Sequence, residues 1–289
     1  MWTKKAEKLF GLIGYPTGHS MSPTMHNEQF RVKELPYYYH AFNVHPDHLK
    51  EAVDGMKALG VSGFNVTVPH KVAVMDYLDK IDEEAEIIGA VNTVVNENGQ
   101  WVGYNTDGRG YVDSLKRVIG DQLKESDILV VGAGGASRAV VTALALYGVA
   151  SITITNRTVA KAEEIRRMLP ENYHINVLNK TDAESQTSTY DVIVNTTSVG
   201  MYPHVNETPW VSEGLKRGCL CSDLIYNPLQ TRWLEEAAAN GANTINGVGM
   251  FVGQGALAFQ KWTGIEPDTD RMTEVVVEEL GGKKSDAYR

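Results

Sequence analysis

Asp127-Ile-Leu-Val-Val-Gly-Ala-Gly-Gly-Ala-Ser-Arg-Ala139 runs from an apolar stretch through a glycine-rich turn into small, helix-forming residues. Residues 128–131 read as a fully buried strand. Gly132, Gly134 and Gly135 allow a tight turn with no Cβ to obstruct a phosphate. Residues 136–147 read as a helix, whose first N–H groups and positive dipole end face that turn. Strand, glycine turn and helix in this order make a dinucleotide fingerprint in its proper context. Gly132, Ala133, Gly134, Gly135 and Ala136 are therefore candidate cofactor-binding residues. Ser137 stands at the sixth position, where the fingerprint usually has Gly or Ala, and weakens the match mildly.

The next expected strand, 151–155, runs into Asn156-Arg-Thr158. A unit built for NAD carries Asp or Glu at this point, on the ribose hydroxyls. Here a guanidinium stands between two hydrogen-bonding side chains, with Lys161 one helical turn on. Arg157 offers the forked geometry that suits a 2′-phosphate, so the residues favour NADP(H) over NAD(H). Capping of the following helix, 159–168, by Asn156 and Thr158 is compatible with that role.

The totals narrow the classes. A chain of 289 residues suggests two domains. Hydrophobic content of 43% and charged content of 22% are ordinary for a globular protein. A formal net charge of −9 argues against nucleic acid or an anionic membrane as main partner. The start of the chain reads as neither signal peptide nor membrane span, so a cytoplasmic protein is expected. Cys219 and Cys221 would share one face of a strand. With no further cysteine they make no zinc site, and two buried or half-buried thiols are expected. His40, His45 and His48 read as surface residues, and no metal is expected.

Outward from the glycine turn, the chain alternates strands and helices. The first half reads as strands at 9–15, 37–44 and 63–69, with helices at 24–30, 46–60, 71–79 and 83–88. Asn98-Gly99 lies between β-prone runs and signals a hairpin within 90–105. A helix follows at 107–119. This predicts a mainly parallel sheet with an antiparallel hairpin at one side. The second half reads as strands near 128–131, 151–155, 173–178, 191–195, 219–225 and 243–245. Its helices fall near 136–147, 159–168 and 230–240. Two last helices, about 250–263 and 268–280, are expected to return to the first domain. The expected division is 1–110 with 247–289 as the first domain and 111–246 as a Rossmann-type domain.

Several residues outside the fingerprint can carry chemistry. His19-Ser-Met-Ser-Pro23 places Ser20 and Ser22 two residues apart, which fits either a carboxylate clamp or the cap of the next helix. Asn65-Val-Thr-Val-Pro-His-Lys71 puts Lys71 just past the end of a buried strand, where ligands gather in open α/β sheets. Asn65 and Thr67 share one face of that strand. Asp107, in Gly103-Tyr-Asn-Thr-Asp-Gly108, fits either a helix cap or a partner that tunes a lysine for proton transfer. The loop after 192–195, with Thr196 and Ser198, falls near the nicotinamide ribose in a dinucleotide-binding domain. Tyr226 and Asn227 end another strand. Gln254, a turn into the helix after Gly247, is oddly polar among apolar neighbours and fits either a core amide or a polyol contact.

Taken together, the chain resembles the shikimate dehydrogenase family. The motifs are 14–23, 65–71, 89–94 (Gly-Ala-Val-Asn-Thr-Val), 103–108, 132–137, 156–158, 223–228 (Asp-Leu-Ile-Tyr-Asn-Pro) and 253–255 (Gly-Gln-Gly), in the family's order. Tyr15 departs from the Asn or Asp that many members carry. The resemblance implies reversible reduction of 3-dehydroshikimate to shikimate by NADPH, in the route to chorismate and aromatic amino acids. It implies that Ser20 and Ser22 hold the substrate carboxylate, helped by Tyr226. It places Thr67, Asn92, Asp107 and Gln254 on the ring hydroxyls, with Lys71 and Asp107 paired for proton transfer. Asn156, Arg157 and Thr158 match the 2′-phosphate clamp, and Thr196, Ser198 and Gly247 complete the cofactor set. The partner is a small molecule, not nucleic acid or membrane, and the chain is expected as a monomer or homodimer. The alternatives are a quinate/shikimate dehydrogenase using NAD or both cofactors, a non-catalytic dinucleotide sensor, and a related enzyme acting on amino- or deoxy-shikimates.

Overall fold

The computed structural model describes residues 7–283 and 285–286. The chain divides into two compact units, Met1–Thr106 with Gln254–Val276, and Asp107–Gly253 with Val277–Arg289.

In the first unit the elements run β1 (Lys8–Gly14), α1 (Ser22–Val32), β2 (Tyr37–Asn43), α2 (Leu49–Ala58), β3 (Gly63–Val66), β4 (Lys80–Ile81), α3 (Glu83–Ile88), β5 (Thr93–Glu97) and β6 (Gln100–Tyr104). The sheet order is β2-β1-β3-β5-β6-β4. β1 pairs in parallel with β2 and β3, and β5 pairs antiparallel with both β3 and β6. The hairpin turn is Asn98-Gly99, with φ of 55° and 87°. Both residues lie in the left-handed region, which this pair adopts at low cost. α2 buries Leu49, Val53 and Met56, a spacing that lines one helical face. They pack into a core with Ile13, Phe64, Val66, Val94 and Trp101.

Two expectations for this unit are corrected. The helix expected over 46–60 divides into a 3-10 turn, Pro46–His48, and α2. The helix expected over 71–79 is only a 3-10 turn, Ala73–Tyr77. The reason lies in the Lys71 carbonyl, which accepts the Val91 N–H at 2.7 Å. The Met75 N–H donates instead to the Val72 carbonyl at 3.1 Å, an i→i+3 bond in place of the i→i+4 bond to Lys71. The strand β4 that follows was not expected.

His26 lies in the core of this unit. It is fully buried on α1, its ring 4.6 Å from Tyr39 in a near-parallel stack and 5.2 Å from Trp262. Neither ring nitrogen has a hydrogen-bond partner among the described residues. Burial lowers its pKa from 6.5 to about 3. An unfolded histidine takes up its proton near the ordinary value, while the folded one stays neutral. The contribution of neutral His26 is therefore complete above pH 6.5 and declines as pH falls toward 3, by about 1.4 kcal/mol per pH unit. Urea unfolding should show wild type losing about 2–3 kcal/mol more than His26→Phe between about pH 6.5 and 4.5. Parallel losses in the two proteins would remove His26 as the acid-sensitive group.

The second unit begins with α4 (Asp107–Ile119), followed by β7 (Asp127–Val131), α5 (Gly135–Tyr147), β8 (Ser151–Thr155), α6 (Val159–Met168), β9 (Ile175–Leu178), α7 (Lys180–Ser185), β10 (Val192–Asn195), β11 (Leu220–Asp223), α8 (Arg232–Ala239) and β12 (Asn243–Ile245). The order β12-β11-β10-β7-β8-β9 is parallel throughout. Counted from β7 this is the doubly wound 3-2-1-4-5-6 arrangement, whose switch point lies between β7 and β10. The short helix α7 was not foreseen. α4 lies wholly in this unit. A Cβ on Gly108 would sit 2.4 Å from the Ala139 carbonyl oxygen, so α4 meets α5 backbone to backbone. Cys219 and Cys221 are free and buried, packed in a cluster with Leu129, Ile193 and Trp233.

The last helices are α9 (Val248–Thr263) and α10 (Thr269–Glu279). Within the first unit, the Trp262 indole N–H donates to the Val94 carbonyl at 3.0 Å. The Gln29 amide donates to the Asp268 carbonyl and accepts the Asp268 N–H, at 3.1 and 2.9 Å. These bonds tie residues 254–276 to the first sheet and to α1. No helix among the described residues is long and apolar enough to cross a membrane.

Candidate active site

In the first unit, the loop after β1 leads into α1, which starts at Ser22 rather than at the expected Thr24. The Ser22 N–H donates to Ser20 Oγ at 3.2 Å, so Ser20 has a local capping contact. Ser22 is buried and Ser20 half-buried. The Ser22 hydroxyl hydrogen-bonds Tyr39, whose phenol burial pushes well above the ordinary tyrosine value. Thr67 is half-buried at the end of β3, its N–H donating to the Ile13 carbonyl at 2.9 Å. Lys71 is half-buried in the turn that follows.

A directed chain of hydrogen bonds joins the polar residues of this unit. The Tyr39 hydroxyl donates to Asn65 Oδ1 at 2.8 Å. Asn65 Nδ2 donates to Thr93 Oγ1 and to the Asn92 carbonyl, both at 3.1 Å. The Thr93 hydroxyl donates to Asn92 Oδ1 at 3.0 Å, and Asn92 Nδ2 donates to Thr106 Oγ1 at 3.0 Å. The Thr106 N–H donates to Asn92 Oδ1 at 2.8 Å, and its hydroxyl donates to the Gln254 carbonyl at 3.1 Å. The Thr106 hydroxyl has a second acceptor within reach, Asn92 Oδ1 at 3.2 Å, but the Thr106 backbone N–H can only donate and so marks Asn92 Oδ1 as the accepting end of the amide. The Asn92 amide therefore has a single orientation, and the backbone of α9 is held at Gln254. Tyr39, Thr93 and Thr106 were not singled out from sequence. Their importance arises from partners far along the chain, which no local spacing marks.

In the second unit, the glycine turn stands at the carboxyl edge of β7. Gly132 has φ of 118°, a conformation that disfavours any side chain. A Cβ there would also lie 2.5 Å from Thr196 Oγ1, so the turn and the loop after β10 are in close contact. The Gly132 N–H donates to the Thr155 carbonyl at 2.8 Å, tying the turn to the end of β8. Ser137 changes its reading. It is fully buried, and its hydroxyl donates to the Gly132 carbonyl at 2.8 Å, which braces the turn. Gly134 and Gly135 are exposed, and a Cβ on either would meet nothing within 4 Å. Gly134 is the N-cap of α5 and supplies no side-chain cap, and no acidic residue occupies the first turn. This open, side-chain-free helix start is the geometry a pyrophosphate requires.

At the tip of β8, Asn156 Nδ2 donates to the Thr158 carbonyl at 2.9 Å. Thr158 is the N-cap of α6 but makes no side-chain cap bond, so capping does not account for its hydroxyl. Arg157 is exposed, as is Lys161, and Arg138 lies 3.7 Å from Glu164. The tip thus carries cationic groups and no carboxylate of its own. The residues present fit a phosphorylated dinucleotide.

Asp107 is the first residue of α4 and is buried. The Thr196 hydroxyl donates to the Val131 carbonyl at 2.8 Å, and Ser198 is exposed on the same loop. Tyr226 is half-buried with its ring 4.7 Å from Phe251, and burial raises its pKa. The Gly247 N–H donates to the Ile225 carbonyl at 2.9 Å, beside Tyr226. Asp223, another residue not singled out from sequence, is buried at the end of β11. Burial lifts its carboxyl to about 6, against donors from Ile225, Thr231 and Asn195.

Comparison with known proteins covers nearly the whole chain. The family description "Shikimate dehydrogenase substrate binding domain" matches residues 12–94. "Shikimate / quinate 5-dehydrogenase" matches 114–219, and "Shikimate 5'-dehydrogenase C-terminal domain" matches 247–277. A shikimate dehydrogenase (NADP(+)) from Geobacillus sp. strain WCH70 is 50% identical over 96% of this chain and 100% of its own length. A crystal structure of a shikimate dehydrogenase in complex with NADP+ superposes with a TM-score of 0.89 at 46% identity, covering 94% of this chain and 96% of that one. Shikimate 5-dehydrogenase from Listeria monocytogenes, in complex with shikimate and NAD, gives a TM-score of 0.89 at 37% identity over 96% and 99%. With half its residues shared over 96% of its length, and with the substrate unit and the doubly wound cofactor unit both in place, the chain belongs to the shikimate dehydrogenase family.

Proposed function

We propose that the chain interconverts 3-dehydroshikimate and shikimate with NADP(H), in the supply of chorismate and aromatic amino acids, and that Lys71 paired with Asp107 moves the proton. The observation that carries the substrate reading is the hydrogen-bond chain from Tyr39 to the Gln254 carbonyl. A site that must distinguish several hydroxyls needs polar groups of fixed orientation, and this chain fixes the Asn92 amide. Thr67, Asn92, Asp107 and Gln254 take the ring hydroxyls. Ser20 and Ser22 take the carboxylate at the start of α1, with Tyr226 as a further donor.

Gly132, Ala133, Gly134, Gly135 and Ala136 hold the pyrophosphate of the cofactor. Asn156, Arg157 and Thr158 hold its 2′-phosphate. Thr196, Ser198 and Gly247 lie on the nicotinamide side. NADPH, when bound, supplies the hydride. The protein supplies orientation and charge. As the substrate ketone is reduced, negative charge gathers on its oxygen, and the Lys71 ammonium stabilises that charge and delivers a proton to the oxygen. Asp107, as a carboxylate, keeps the lysine oriented and favours its ammonium form, and the lysine regains its proton from water. In the reverse direction Lys71 accepts the hydroxyl proton. The same reading takes the enzyme as cytoplasmic and as a monomer or homodimer.

Initial rates with shikimate or quinate, each with NADP+ or NAD+, test the assignment. Activity concentrated in the shikimate and NADP+ combination is expected. Comparable rates with quinate or NAD+ would move the chain to the dual-specificity branch of the family. No turnover from folded protein that binds NADP+ would overturn the reading.

A further inference from the structure

The geometry points to Asp223 as a positioning residue that orders the nicotinamide side of the cofactor site through three separate segments. It does so without itself touching cofactor or substrate. The inference rests on the reading that the loop after β10 and the segment carrying Tyr226 belong to that side of the site.

Asp223 is the last residue of β11 and is 1% exposed. Three donors converge on its carboxylate. Asn195 Nδ2 and the Ile225 N–H both donate to Oδ1 at 3.0 Å, and the Thr231 hydroxyl donates to Oδ2 at 2.9 Å. Each donor comes from a different segment at the carboxyl edge of the sheet, where doubly wound folds bind their ligands. Asn195 ends β10 and is fully buried. Its Oδ1 accepts the Thr197 N–H at 3.0 Å and the Thr197 hydroxyl at 2.7 Å. Thr197 Oγ1 in turn accepts the Val199 N–H at 3.1 Å. One line of bonds thus runs from Asp223 through Asn195 and Thr197 to Val199, along the loop that carries Thr196 and Ser198. Ile225 is the neighbour of Tyr226, and its carbonyl holds the Gly247 N–H. Thr231 is the N-cap of α8, accepting the Leu234 N–H at 3.4 Å.

A residue needed only for packing at this position would be apolar. A buried carboxyl is costly unless it is satisfied, and here its three donors come from the end of β10, from the exit of β11 and from the start of α8. The adenosine half has separate supports, in Ser137 on the glycine turn and Asn156 on the β8 tip. Loss of Asp223 should therefore loosen one half of the cofactor site and spare the other.

Isothermal titration of wild type, Asp223→Asn and Thr197→Val with NADP+ and with adenosine 2′,5′-bisphosphate separates the halves. Asn at 223 retains shape but turns an amide donor toward one of three donors. The expected result for Asp223→Asn is about a tenfold weaker NADP+ Kd, with the bisphosphate Kd within about twofold of wild type. Equal weakening for both ligands would reduce Asp223 to general support of the unit, and no change in either would overturn the inference. Thr197→Val unties the loop directly. If it weakens NADP+ while Asp223→Asn does not, the loop assignment stands and the role of Asp223 fails. If neither variant affects NADP+, the loop assignment itself fails. Should Asp223→Asn not fold, Thr231→Val and Thr231→Ser address the Oδ2 contact. A loss of NADP+ affinity in the valine variant that serine restores is expected, and equal affinity in the two would overturn the inference.

Discussion

Replacement of Lys71 by alanine is expected to lower kcat about 10²- to 10⁴-fold, while KM for shikimate changes by less than about tenfold. The expectation follows from where the lysine acts. An ammonium that meets charge appearing only as the ketone is reduced stabilises the transition state more than the bound substrate. The backbone at this position does not depend on the side chain, because the Lys71 carbonyl is held by the Val91 N–H at 2.7 Å. A loss of activity would thus report chemistry and not a displaced loop. Steady-state rates in both directions provide the check. A variant with normal kcat and a raised KM would make Lys71 a substrate anchor only, and unchanged kinetics would remove it from the site. The pairing with Asp107 has its own signature. If the two residues act as a unit, Lys71→Ala combined with Asp107→Asn loses little beyond the worse single variant. Additive losses would separate their roles.

Arg157→Ala is expected to reduce kcat/KM for NADP+ by about 10- to 100-fold and to leave the value for NAD+ nearly unchanged. The guanidinium is exposed at the tip of β8, and a bond within the turn, from Asn156 Nδ2 to the Thr158 carbonyl, holds its neighbours. Only the 2′-phosphate differs between the two cofactors, so a group that binds it affects one and not the other. Because Arg157 is exposed, its contribution should shrink as salt screens it. Lysine at this position should recover part of the loss, since it retains charge but not the forked geometry. Equal loss with NADP+ and NAD+ would show that Arg157 supports the fold of the tip and does not select the cofactor.

The features legible in the sequence are those in which neighbours along the chain determine the structure. The apolar run and glycines of 127–139 need only their own φ/ψ preferences and a strand-to-helix order. Asn98-Gly99 specifies its hairpin because both residues tolerate positive φ. Leu49, Val53 and Met56 mark α2 because a helix turns its face at that period. The absence of a carboxylate beside Arg157 could likewise be read directly, and it directed the cofactor assignment to NADP(H).

Other features required the folded chain. The segment after Pro69 has helical composition, yet Val91 takes the Lys71 carbonyl and only a 3-10 turn forms. Ser137 departs from the glycine fingerprint in sequence but braces the turn through the Gly132 carbonyl. His26 carries no local signal, and Thr106 and Asp223 lie within the motifs 103–108 and 223–228 but nothing in their local spacing marks what they bind. Thr106 meets Gln254 across 148 positions, and Asp223 meets Asn195 across 28. A hydroxyl or carboxyl is inexpensive to expose and costly to bury alone, so its role depends on which donors and acceptors the fold brings to it. Local sequence determined most of the elements and the phosphate-binding turn. Long-range pairing of buried polar groups decided which side chains are held still enough to serve a site.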